Sequence, residues 1–134
     1  TVNPAVENQY PVKLHWFSCN TMNDFDIPIF KKSYELYKLL HDYRRLVPKQ
    51  DRFTIFERVD ATTLDVIENI MRASGQSKSA KIPSLEDASV KLNMLRVFIR
   101  LMKDTKALDM KKYIAVETMI DEIGKMFGGW IKSS

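Results

Sequence analysis

Cysteine is almost missing from this chain: Cys19 is the one example in 134 residues. No intramolecular disulfide can form, and no cysteine-based zinc site can be built. Histidine is nearly as scarce. His15 and His41 belong to no Glu-x-x-His or His-x-x-x-His spacing, the patterns that put two ligands on one helical face. With four glycines in all, there is no phosphate-cradling loop, and no serine stands in a nucleophile elbow. No apolar run reaches the ~18 residues of a membrane span, and no basic–apolar–small pattern opens the chain. These absences lead us to expect a non-enzyme without metal or cofactor, away from the membrane, in a reducing cytoplasmic setting.

What remains is ordinary globular material with a basic bias. Hydrophobic residues make up 45% and charged residues 28%, and the net charge is +4. A chain of about 150 residues buries roughly 70% of its unfolded surface, so one domain with a sizeable core is feasible. The charge favours an anionic partner, though only mildly. Pro4, Pro11 and Pro28 crowd the start, and Gly124, Gly128 and Gly129 the end. The long tracts between them read as long helices and not as many short strands.

Residues 1–27 read as an N-terminal arm. They have neither helical nor alternating period around their aromatic knot, His15-Trp16-Phe17. The arm is either irregular, foreign to the domain, or docked on the bundle or a neighbour. A bundle domain is expected over 28–132. Its first helix, about 29–47, has Asp26 as cap and stops before Pro48, because a residue preceding proline is pushed out of helical geometry. Ile29, Phe30, Leu36, Tyr37, Leu40 and Tyr43 share one face of it, while Lys31, Lys38 and Arg45 interleave with Glu35 and Asp42 as solvated pairs. The second helix, about 51–74, carries Phe53, Phe56, Val59, Leu64, Val66, Ile67, Ile70 and Met71 over close to half its wheel. Residues 75–82 read as a flexible connection. Pro83-Ser84 then opens a third helix, about 84–106, with Ser84 and Asp87 as an imperfect capping box. Asp109 caps the fourth, about 110–128, which Gly128-Gly129 terminates. The expected fold class is all-α, an antiparallel four-helix bundle.

Two properties of the third helix bear on function. Its apolar residues, among them Val90, Met94, Val97, Phe98 and Leu101, span about 200° of the wheel, against roughly 100° for a monomeric bundle helix. Surplus apolar surface of this kind marks an interface, and self-association covers it most simply. Arg96, Arg100 and Lys103 fall within an arc of about 60°, and no acid lies between Asp87 and Asp104. Arginine suits phosphate because its planar fork donates two parallel hydrogen bonds. The other reading of this stripe is pairing with Glu57, Asp60 or Glu117 from another helix.

Several fragments carry a family resemblance: Tyr34-Glu35-Leu36-Tyr37, Pro48-Lys49-x-x-Arg52, Ile70-Met71-Arg72-Ala73, Leu95-Arg96-x-x-x-Arg100-Leu101-x-Lys103-Asp104, and Ile123-Gly124-Lys125-Met126-x-Gly128-Gly129-Trp130. In this order, over about four-fifths of the chain, they resemble the accessory variability determinant proteins of diversity-generating retroelements. That resemblance implies a non-catalytic basic bundle assembled as a barrel-like homopentamer. Such a protein would work with the retroelement's reverse transcriptase and with template RNA, or DNA, during mutagenic copying. Arg52, Arg96, Arg100 and Lys103 are the basic positions it offers for contact with nucleic acid or polymerase. Bundles of the ribosomal-RNA intervening-sequence type are similar in architecture. An oligomeric protein scaffold indifferent to nucleic acid is the other alternative.

Overall fold

The computed structural model describes residues 26–133, with side chains from residue 28 onward. The expected arm lies outside the described residues up to residue 25, and so do His15 and Cys19. At its end Asp26 already belongs to a helix instead of preceding one as a cap. Four long helices and a single-turn helix follow: α1 (Asp26–Arg44), α2 (Lys49–Arg52), α3 (Ile55–Ser74), α4 (Lys78–Asp104) and α5 (Met110–Ser133). Helix α3 packs on α1 and α4, and α5 packs on α4 and α1, so the four long helices close a square. The short connections reverse the chain at each corner, giving an antiparallel bundle.

The boundaries differ from expectation for local reasons. Helix α1 stops at Arg44, three residues early, where the Leu46 and Val47 amides donate to the carbonyls of Tyr43 (2.9 Å) and Arg44 (3.1 Å) in a tightened last turn. Pro48 then opens α2 with φ −53° and ψ 143°. The expected second helix is in fact two, broken at Phe53-Thr54, where the Thr54 hydroxyl donates to the Gln50 carbonyl at 3.1 Å. Local side-chain bonds of this kind compete with helix continuation.

The segment expected to be a flexible connection is largely the start of α4. Ser77 caps it by accepting from the Ala80 amide at 3.4 Å, and Pro83 lies inside the helix. The proline removes the amide that would have bonded the Ser79 carbonyl, but Ser79 is exposed and water can serve it. Ser84 forms no box with Asp87; its hydroxyl donates to Gln76 Oε1 at 2.9 Å. Helix α4 ends at Asp104 on a left-handed Lys106 (φ 65°), with the Ala107 and Leu108 amides both donating to the Met102 carbonyl. Asp109 caps α5 as expected, accepting from the Lys112 amide at 2.8 Å.

Helix α5 does not stop at Gly128-Gly129. It continues to Ser133, and neither glycine takes a positive φ. Glycine ends a helix where the left-handed conformation is used. Here the next turn brings Trp130 into the core, fully buried, and the helix persists.

The core follows strict three- and four-residue steps. Leu85, Ala88, Leu92, Leu95, Ile99 and Met102 on α4, and Val116, Ile120, Ile123, Phe127 and Trp130 on α5, are buried to 5% exposure or less. This is the seam of coiled-coil packing, narrower than the apolar arc of the helices that supply it. On α4 the remainder of the arc, Val90, Val97 and Leu101, points away from the seam and lies 46–58% exposed.

Candidate nucleic-acid interface

The four basic residues singled out by sequence occupy different environments. Arg52 is held within its own corner: Nε donates to the Val47 carbonyl at 3.0 Å and Nη2 to the Arg45 carbonyl at 2.9 Å. It thereby serves carbonyls left open at the end of α1. Arg96 crosses to α5 and pairs with Asp121. Gly124 makes room for it, since a Cβ there would sit 2.9 Å from Arg96 Nη2. Lys103 lies 4.9 Å over the Tyr113 ring and reaches Asp104 at 3.5 Å. Arg100 is exposed and forms no hydrogen bond or ion pair among the described residues. Its charge is nevertheless felt by Tyr113, whose hydroxyl is raised above its ordinary pKa mainly by donating to Glu117, an effect that Arg100 opposes.

The acid-free stretch of α4 is therefore not uncompensated along its whole length. Lys91 reaches Asp65 on α3 at 3.2 Å, and Arg96 reaches Asp121 on α5. Cross-helix pairing was one of the two readings open from sequence, but with other acids. Asp60 accepts from the Tyr37 hydroxyl and Glu117 from that of Tyr113.

Topology shows what the linear sequence concealed. The end of α1, all of α2, the end of α4 and the start of α5 meet at one end of the bundle. That end holds Arg44, Arg45, Lys49, Arg52 and Arg58 from one half of the chain, and Arg100, Lys103, Lys106, Lys111 and Lys112 from the other. The acids among them are fewer: Asp51, Asp104 and Asp109 at the corners, with Asp42, Glu57 and Glu117 beside them. Of the cations, Arg45, Lys49, Arg100, Lys106 and Lys111 donate no side-chain hydrogen bond and form no ion pair among the described residues. Ion pairs lie mostly along the body instead, as at Lys32–Glu122 (3.0 Å) and Lys38–Glu35 (3.7 Å), the latter within the helix-one stripe. Sequence reasoning missed this pole because its two contributions are some fifty residues apart. The signal available was the run of basic residues flanking each of the two corners.

Among the described residues no three His, Cys, Asp or Glu side chains are gathered to hold a metal, and no helix is long and apolar enough to cross a membrane. The described residues thus form an all-helical bundle whose distinctive chemistry is a basic pole. Within that class its family can be stated: the chain belongs to the bAvd-like family, whose model matches residues 27–134. Membership fits an accessory role, and no catalytic family is indicated. Among solved structures, a protein of unknown function from the S23 ribosomal protein family of Bacteroides thetaiotaomicron shares the fold. It superposes with a TM-score of 0.72 at 24% identity, over 81% of this chain and 98% of that one. No curated protein matches.

Proposed function

We propose that this chain is a non-catalytic accessory protein of a diversity-generating retroelement, binding the reverse transcriptase and template RNA to support mutagenic copying. The observation that carries this reading, given the family, is the basic pole with its unpaired cations. Phosphate contact is the use that such charges serve best, because each one neutralised releases condensed counterions. Arg100, with Lys106 and Lys111 at the same end of the bundle, supplies the contacts. Lys103 borders them over Tyr113, whereas Arg52 and Arg96 act by fixing the corner and the α4–α5 contact that hold the pole in shape.

Assembly belongs to the same reading. Val90, Val97 and Leu101 form a second apolar stripe opposite the buried seam of α4, and contiguous exposed apolar surface marks an interface. A homopentamer built on it would present the pole five times, adding avidity without new contacts.

The test is reverse transcription of the template RNA by the retroelement polymerase, with and without this protein. Full-length product should require the protein, and Arg100→Glu with Lys106→Glu should abolish the stimulation while leaving the helical spectrum intact. A protein scaffold indifferent to nucleic acid would instead give equal stimulation with the parent and the double variant. A polymerase unaffected by the protein would contradict the reading.

A further inference from the structure

Phe53 is 60% exposed at the corner between α2 and α3, although its place in the apolar pattern of the expected second helix put it in the core. The break at Phe53-Thr54 turns it outward. The Arg44 guanidinium lies 5.5 Å from its ring centroid. Arg44 in turn lines a surface recess with His41, Asp42, Arg45 and Arg52. Arg52 cannot swing freely, because two of its donors are committed to the Val47 and Arg45 carbonyls. The corner therefore presents a largely exposed aromatic ring with Arg44 over it, and Arg44 joins this ring to a recess lined by two further arginines, one of them locked, with Asp42 as the acid lining the recess.

We infer that this corner binds an unpaired nucleotide of single-stranded RNA, the base stacking on Phe53 and the adjoining phosphates meeting Arg44 and Arg45. The inference rests on the proposed RNA-binding function and gives it a substrate class. Every base offers a π-face, so an aromatic platform beside a basic groove recognises single strands with little sequence preference. Duplex RNA offers no such face, since its bases are stacked on each other. The two chemical elements coincide here on one short corner, and the arginine–aromatic contact already present holds the cation over one side of the platform. His41 lines the same recess.

The experiment compares Phe53→Leu and Phe53→Trp with the unmodified full chain. It titrates each with a labelled oligouridylate and with an RNA duplex of equal length, and a mass measurement of each variant tests whether the assembly is unchanged. Leucine keeps the apolar volume but removes the π-face. It should weaken single-strand binding at least about five-fold, the lower end of one lost stacking contact, and leave duplex binding and mass unchanged. Tryptophan should retain affinity, and its fluorescence should be quenched as the oligonucleotide binds. Equal single-strand affinity for Phe53→Leu and the parent would overturn the stacking site while leaving RNA binding intact. Loss of affinity together with a change in mass would assign Phe53 to a protein interface and overturn the site too. If the parent bound neither RNA, both the inference and the function beneath it would fall.

Discussion

Asp109 shows how much one side chain can settle locally. Its carboxylate accepts the Lys112 amide at 2.8 Å and pairs with Lys112 Nζ at 2.7 Å, and these bonds, the side-chain one foremost, hold it below the ordinary carboxylate pKa of 3.8. A depressed folded pKa means the stabilisation is present above the unfolded value and is lost as pH falls through the folded one. Asp109→Asn keeps a capping oxygen but cannot titrate. Its melting temperature should lie below the parent's near neutrality, and the difference should close below about pH 4 as the parent's Asp109 is protonated, as thermal melts across the acid range would show. A cap of this kind was legible from sequence, because the bond spans three residues. The fate of Arg96 was not: its partner Asp121 and the gap at Gly124 are both on another helix. Phe53 was misplaced for the opposite reason, since its apolar character fitted a helix that the Thr54 turn interrupts.

At the scale of elements, periodicity located four helices because each contributes a repeating apolar seam, and one buried face per helix is what a bundle demands. Their ends were less legible. Pro83 reads as an opening residue, yet proline is tolerated six residues into α4 because the residue whose carbonyl it orphans, Ser79, is exposed to water. Gly128-Gly129 reads as a stop, yet burial of Trp130 one residue later outweighs the intrinsic cost of glycine in a helix. This makes Gly128 a place where helix propensity can be gained. It is exposed, helical, and has nothing within 4 Å of a Cβ built on it. Gly128→Ala should therefore stabilise the protein by about 0.5–1 kcal/mol, read as a raised denaturant midpoint at constant slope. If Gly128 were instead the left-handed end of the helix, the same substitution would destabilise.

On the scale of the whole molecule, two surfaces organise the account: an outward apolar stripe on α4 and a basic pole at the end that holds both Pro48 and Lys106. The surplus of apolar residues on α4 was readable from its wheel, because that count needs no partner. The pole was not, because it forms only when the corner after α1 meets the corner after α4. Assembly through the stripe predicts a solution mass several times the 15.6 kDa of one chain, and Val97→Asp with Leu101→Asp should reduce it to a folded monomer. Light scattering with circular dichroism checks both halves of that statement. The central claim, that the pole meets RNA phosphates, is tested most directly by the salt dependence of single-stranded RNA affinity. The parent should show a linear fall of log affinity with log salt, and Arg100→Glu with Lys111→Glu should make the slope shallower by at least about 0.7, the contribution of one phosphate on a single strand. A slope near zero for the parent, or the same slope for both proteins, would contradict the account.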